Sequence, residues 1–392
     1  MVLIKKINEN ELQVVGRIDS ANAAQLEKEI ENALGTEYGD VVFDASKLEY
    51  VSSAGLRVFM RVKKNTKGTV AIKNVSPAVY EIFDMTGFTQ ILDVSKALRE
   101  ISIDGCEVIG EGANGKVYRI DEETIIKVFN EGVPMEVVKQ ERDYAQAAFI
   151  GGVPTAISYD VVKCGNCYGA VYEMLRAETV GAVVKKNPER AAELGRRMGR
   201  LLKQLHSVEA DKNIFTDMLA IYKDRAEQMR KYMTDAEVDK IMSVYNILPD
   251  RNTLLHGDFH AKNVMLMDDE LIFIDMGDVG YGHPLLDIGG AYLGFMHVGK
   301  IAPERTEQYL GMPFDSALIV WNNLINEYFG EENAELANKI AEIYGEAKYT
   351  LTPLIYTKAT EEIRHRMVAG MRKTGFISEG FDISAAFDTD IC

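Results

Sequence analysis

The chain has 392 residues, 47% hydrophobic and 27% charged, with a formal net charge of −16. That length exceeds one ordinary domain, the composition is that of a globular protein, and no uninterrupted apolar run reaches the length of a membrane span, which argues against a transmembrane design. The acid excess falls after residue 100, because residues 1–100 hold 13 Lys and Arg against 14 Asp and Glu; an acidic surface argues against nucleic acid and membrane surfaces as partners and is permissive for cationic substrates.

The N-terminal stretch MVLIKKINENELQVVG puts acids and polar residues where a signal peptide needs its apolar run, so a cytoplasmic location is expected. VLIKKI and LQVVGRI flank Asn8, Glu9 and Asn10 and predict a hairpin. From Asn22 to Leu34, the residues Ala23, Leu26, Ile30 and Leu34 recur at helical spacing, with Gly35 as the C-cap. VVFDAS reads as a buried strand, Ser52 and Ser53 precede the helix AGLRVFMRVKK, and TVAIKN, PAVYEIFDMTG and FTQILDV follow as strand, helix and closing segment. Strands interleaved with helices imply an α/β layer with a mixed sheet. Ser53, at a helix start, suits an N-cap whose hydroxyl accepts a bond from an unpaired N–H. The same place would stabilise a phosphate through the helix dipole, and the added charge would alter a near-neutral binding face.

This segment resembles a STAS domain, the fold of bacterial anti-sigma factor antagonists, through GRIDSANAAQLEKEI and VVFDASKLEYVSSAGLRVF. The resemblance covers nearly all of residues 1–100 and implies an anti-sigma factor or another signalling protein as partner. In that family the first Ser of an Asp-Ser-Ser-Gly-Leu turn is the regulatory phosphorylation site. The aligned residues are Ser52, Ser53, Ala54, Gly55 and Leu56, so the candidate phosphoacceptor is Ser53, and Ser52 stands in place of the Asp.

The pattern changes near SKALREISIDGCEVIG without a Pro/Gly/Ser linker, which sets expected domains of 1–100 and 101–392. Residues from about Ile101 to Met174 are mostly strand with one helix and the rest is mostly helical, the layout of a small lobe over a large one. GEGANGKV supplies Gly110, Gly112, Gly115 and Val117 in a full G-x-G-x-x-G-x-V. Such glycines can open a dinucleotide-binding helix, but KVYRI and TIIKVF continue as strands, so they sit in a hairpin whose bare backbone can lie close over phosphates. Lys127, mid-strand among Ile125, Ile126, Val128 and Phe129, is costly to bury without an anion, and the next helix offers Glu141 first and Glu136 second. Cys164 and Cys167 read as reduced cysteines at the ends of a hairpin, since no second ligand pair for zinc stands at a suitable spacing.

LLHGDFHAKNVMLMDDELIFIDMGD carries the strongest signal. His256, Asp258 and Asn263 form H-x-D with Asn five residues after the Asp, and Asp275 follows a short hairpin in Asp-Met-Gly. Phosphoryl transfer needs a carboxylate to orient and deprotonate the attacking hydroxyl, which is Asp258, and oxygen ligands for Mg²⁺ on the phosphates, which are Asn263 and Asp275. The set points to an ATP-dependent phosphotransferase acting on a hydroxyl-bearing acceptor.

Within the kinase-like superfamily the region resembles the aminoglycoside and choline phosphotransferases, since His260 completes H-G-D-x-H-x-x-N, and ERDYAQAAFIGGVPT, LGRRMGRLLKQLHSV and GYGHPLLDIGGAY are similar to their segments. The resemblance implies an α+β bilobal, protein-kinase-like domain with ATP and Mg²⁺ as cofactors. It also implies a hinge at Glu173 to Leu175 that meets adenine, and Asp287 as the aspartate bracing the Asp258 loop. His256 is expected to bond to that loop's backbone and His206 to end a helix; His283 and Met276 depart from a common Asp and a common aromatic. The helical segment past about Lys300, with Trp321, Tyr344, Tyr349, Tyr356, Glu361 and Glu362, is expected to hold the acceptor. The alternative to an enzyme is a non-catalytic, nucleotide-sensing anti-sigma factor antagonist that binds a protein partner.

Overall fold

The computed structural model describes residues 3–35, 38–112, 114–355, 359–387 and 391. The chain divides into two compact units, Met1–Ile101 and Ser102–Cys392.

In the first unit β1 (Ile4–Lys6) and β2 (Glu11–Ile18) form a hairpin, followed by α1 (Ala23–Leu34), β3 (Val41–Val51), α2 (Ser53–Asn65), β4 (Val70–Val75), α3 (Pro77–Met85) and, after a short 3-10 turn, β5 (Asp93–Lys96). The strands lie in sequence order, β1 antiparallel to β2 and the remaining pairs parallel, so the sheet is mixed. Leu26 and Ile30 of α1, Leu56, Phe59 and Val62 of α2, and Val79 and Phe83 of α3 bury one stripe of each helix in a core shared with Val14, Phe43 and Ile72 of the sheet. Phe43 and Phe59 meet edge to face with centroids 5.1 Å apart. β3 continues past VVFDAS to Val51 because Leu48 and Val51 still turn into the core and β2 still pairs there, across two register shifts.

The cap of α2 is Ser52 and not Ser53. Ser52 has extended backbone, φ −88° and ψ 172°, and its Oγ accepts from Gly55 N at 3.4 Å. Ser53 is already the first helical residue and is exposed, so it cannot hold the extended conformation that an N-cap needs.

The second unit begins with β6 (Glu107–Glu111), β7 (Gly115–Arg119), β8 (Thr124–Phe129), α4 (Met135–Ile150), β9 (Asp160–Cys164) and β10 (Cys167–Glu173). Its sheet runs β6-β7-β8-β10-β9, every pair antiparallel. Cys164 and Cys167 face each other as the closing pair of the β9–β10 hairpin, and both thiols are free.

Next come β11 (Glu178–Thr179), α5 (Val180–Lys186), α6 (Ala191–His206), β12 (Thr216–Asp217), α7 (Met218–Gln228), α8 (Asp235–Asn246), β13 (Thr253–Leu255), β14 (Val264–Met267), β15 (Glu270–Phe273) and β16 (Gly280–Gly282). The short strands form two sheets, β12-β16-β13 and β11-β14-β15. Helices α9 (Leu285–Tyr292), α10 (Val298–Ile301), α11 (Pro303–Leu310), α12 (Phe314–Phe329), α13 (Ala334–Tyr349), α14 (Thr352–Ile355) and α15 (Glu361–Thr374) complete the unit, and a π turn, Leu293–His297, joins α9 to α10. Among the described residues no helix is long and apolar enough to cross a membrane.

The acceptor expectation for the C-terminal segment is corrected at two positions. Trp321 and Tyr344 are 0% and 1% exposed, and their rings pack the helices together instead of facing a ligand. Trp321 satisfies its indole N–H on Asn338 Oδ1 at 2.7 Å. Glu361 lies at the surface, paired with Lys231 and Arg364. Tyr349 is partly buried against the ring of His297, centroids 4.1 Å apart, and Tyr356 lies outside the described residues.

Candidate active site

The glycines of the β6–β7 hairpin are there for different reasons. A Cβ on Gly115 would lie 2.2 Å from Val128 O, so the sheet forbids a side chain, whereas a Cβ on Gly112 would meet no atom within 4 Å among the described residues beyond its chain neighbours. The open side at Gly112 lets a ligand approach bare backbone. Val117 pairs with Gly110 on one side and with Lys127 on the other, which sets Val117 and Lys127 side by side on one face of the sheet.

Lys127 Nζ donates to Glu141 Oε1 and to Asp275 Oδ1, both at 2.7 Å. Glu141, its side chain 7% exposed, is therefore the lysine's helix partner, and Glu136 stays exposed in the first turn of α4. Burial disfavours the ammonium, but the two carboxylates outweigh it and hold Lys127 above its ordinary value. Tyr172 OH of β10 donates to Glu141 Oε1 at 3.3 Å, a second hold on that carboxylate. Glu173 closes β10 opposite Thr124, and the Met174 N–H donates to Glu123 O at 2.7 Å, with Glu173 and Leu175 on either side of that bond.

The loop between β13 and β14 is fixed from beneath by Asp287. This aspartate, 2% exposed in the first turn of α9, accepts from His256 N at 2.6 Å and Gly257 N at 2.8 Å, and its Oδ2 lies 3.2 Å from His206 Nε2. His206 ends α6 and bonds through its other ring nitrogen to Tyr328 OH at 2.6 Å. Burial raises the Asp287 carboxyl, but the bonds from His206 and from the His256 backbone outweigh it and hold it below the usual carboxylate range. Gly257 has φ +81°, and a Cβ there would lie 2.1 Å from Asp278 O, so only glycine fits the turn. His256 Nδ1 accepts from Asp258 N at 3.3 Å, which meets the loop backbone as expected of it.

Asp258 stands on this braced loop with its side chain 43% exposed. His260 Nε2 lies 3.4 Å from its Oδ2, and Asn263 Nδ2 donates to its main-chain O at 2.9 Å and to Oδ2 at 3.2 Å. Burial raises the Asp258 carboxyl, but the bond from His260 and then the charge of Lys348 outweigh it and hold it well below the usual range. The result is an ionised carboxylate open to a ligand.

Asp275 adopts the left-handed region, φ 60° and ψ 63°, uncommon for a residue with a side chain and a frequent mark of functional sites. Ile274 N, just before it, donates to Asn263 O at 3.0 Å and ties the two segments. With the amide nitrogen of Asn263 bonded twice to Asp258, its oxygen is the atom it can offer a cation, together with the Asp275 carboxylate. An oxygen-only donor set fits a hard divalent ion that shares its shell with phosphates. Gly110, Gly112, Gly115, Val117, Lys127, Glu141, Asp258, Asn263, Asp275, His256 and Asp287 all belong to the second unit, and Ser53 belongs to the first.

Some residues in contact with this cluster carry no motif. Asp278 is pushed above its usual range by desolvation first and then by the charges of Asp258 and Asp275; its place three residues after Asp275 was its sole sequence signal. Tyr309 of α11 packs on the His260 ring with centroids 5.1 Å apart, and Lys348 of α13 donates to Gly257 O at 3.0 Å. Both come from helices remote in sequence from the loop, and nothing local announces them.

Residues 105–316 match the model of the phosphotransferase enzyme family (APH), and residues 3–101 match the model of the STAS domain. The first unit is similar to a Bordetella bronchiseptica protein described as an anti-sigma factor antagonist, BtrV, 38% identical over 85 residues that span 21% of this chain and 73% of the other. It is also similar to the anti-sigma-B factor antagonist of Bacillus subtilis, 33% identical over 95 residues, 23% of this chain and 86% of the other. Among solved structures, a choline/ethanolamine kinase family protein from Mesorhizobium loti is 16% identical with a TM-score of 0.48, covering 72% of this chain and 91% of its own. The ADP-bound aminoglycoside phosphotransferase APH(2'')-Ib is 18% identical with a TM-score of 0.47, covering 74% and 96%.

Proposed function

The chain belongs to the phosphotransferase enzyme family and carries a STAS domain ahead of it, and from that premise we propose that it moves the γ-phosphate of ATP to a hydroxyl-bearing acceptor while its STAS domain engages a signalling protein. One observation carries the reading: contacts run unbroken from Glu141 through Lys127 to Asp275, and from Ile274 through Asn263 to Asp258. In this reading Lys127 holds the α and β phosphates, the hairpin of Gly110, Gly112, Gly115 and Val117 covers them, and the main chain of Glu173 and Leu175 meets adenine. Asp258 orients the acceptor hydroxyl and takes its proton as the new O–P bond forms and the bond from phosphorus to the ADP oxygen breaks. Mg²⁺ bound to Asn263 and Asp275 would neutralise charge on the phosphates.

The reading is tested by ADP release from Mg-ATP over a broad acceptor panel, comparing wild type with Asp258→Ala and Asp275→Ala. Wild-type turnover about 10²-fold or more above the variants supports it. Equal background in all three would leave the nucleotide-sensing antagonist as the better account.

For the STAS domain, the similarity to anti-sigma factor antagonists supports a protein partner. Ser53, exposed in the first turn of α2, offers a hydroxyl where a phosphate would meet the helix N-terminus and change the charge of the surface. Phosphosite mapping after incubation with Mg-ATP checks it, and an unmodified Ser53 beside active turnover rules out self-phosphorylation there.

A further inference from the structure

We infer that Lys348 is a positioning residue for the Asp258 loop, an inference that rests on the phosphotransferase reading. Lys348 lies on α13, past residue 316 where the family match ends. Its Nζ donates at 3.0 Å to the carbonyl of Gly257, the peptide that leads into Asp258. Asp287 takes the N–H groups of His256 and Gly257. The turn is therefore held through its donors by an anion and through its acceptor by a cation.

Room for that cation is provided by a residue of α9. A Cβ on Gly290 would lie 2.8 Å from Lys348 Nζ, so the glycine leaves the ammonium its place beside the loop. Tyr222 of α7 faces the same ammonium, its ring centroid 5.6 Å away. Three helices thus converge on one bond to the loop, and a small displacement of a reacting group is enough to cost turnover. The lysine acts through Gly257 while the phosphate contacts belong to Lys127, so its loss should weaken turnover and spare nucleotide binding.

The experiment is steady-state ADP release from Mg-ATP, with water or the most active member of the acceptor panel as acceptor, by the full chain and by Lys348→Met, Lys348→Arg and Gly290→Ala, with thermal midpoints measured alongside. Lys348→Met should lower kcat about 10–100-fold with KM for ATP within about twofold, and Lys348→Arg should regain part of the loss. Gly290→Ala keeps the lysine but crowds its ammonium, and it should lower kcat without lowering the midpoint, because alanine favours a helix. Unchanged kcat in Lys348→Met overturns the inference. So does a fall in kcat that tracks a fall in midpoint across the variants, with Gly290→Ala at wild-type activity. A wild type that releases no ADP with water or with any member of the acceptor panel overturns the phosphotransferase reading itself, and the role of Lys348 with it.

Discussion

Lys127 Nζ donates to Asp275 Oδ1 at 2.7 Å, so a side chain of β8 and a residue just past β15 share one ion pair. The same ammonium holds Glu141, and an entering phosphate would compete for it with Asp275 alone, because Glu141 is buried behind the lysine and also held by Tyr172.

Lys127→Met should therefore destabilise the second unit as well as weaken ATP binding. It strands a buried carboxylate, and removing one partner of a buried pair costs about 3 kcal/mol. Lys127→Met combined with Glu141→Met should recover most of that loss without recovering activity. Denaturant unfolding of the single and double variants checks this, and additive losses would sink it.

Asp287→Ala should destabilise by about 3 kcal/mol, because it leaves the N–H groups of His256 and Gly257 without their acceptor in a buried place, at about 1–3 kcal/mol each. Asp287→Asn keeps an acceptor oxygen and should lose less. Thermal midpoints of the two variants decide it, and a wild-type midpoint for Asp287→Ala would refute the bracing role.

The residues legible in the sequence were those whose chemistry is local. Lys127 among Ile125, Ile126, Val128 and Phe129 demanded an anion, and Glu141 on the following helix supplied one. Asp258 and Asn263 stood on a single loop, and their mutual hydrogen bonds follow from that spacing. Lys348 is illegible because it comes from a helix far along the chain and its partner, the Gly257 carbonyl, is a backbone atom with no compositional mark. Ser52 and Ser53 were confused because capping depends on which residue stays extended, and two adjacent serines give the same propensity. Trp321 and Tyr344 read as ligand-facing for want of the packing that buries them.

Asp258→Asn keeps the shape of the loop and removes the carboxylate proposed as the base. ADP release should fall by about 10²–10⁴-fold, while affinity for a non-hydrolysable ATP analogue stays within about threefold. Calorimetric titration beside turnover separates the two, and a parallel loss of binding would mean that Asp258 supports the nucleotide instead of the acceptor.

Asp44 sets a pH dependence in the first unit. It lies on β3, 8% exposed, and accepts from Asn74 Nδ2 at 2.9 Å, Gln13 Nε2 at 2.7 Å, Ser46 N at 3.1 Å and Ser46 Oγ at 2.9 Å. Burial alone would raise the carboxyl, but these donors outweigh it and hold Asp44 below its ordinary value. A carboxyl lowered by folding adds stability above its unfolded value of about 3.9 and loses it as pH falls through the folded value, where the native state must take up a proton that it resists. Asp44→Asn should therefore loosen the sheet at about pH 6, by about 1–2 kcal/mol, and the gap to wild type should close toward about pH 2. Trp321, the sole tryptophan, sits in the second unit, so the first unit needs a probe of its own. Amide exchange in the β3 and β4 peptides of the full chain is the readout. A gap that stays constant from about pH 6 to about pH 2 would mean that packing, and not the carboxylate charge, is what Asp44 contributes.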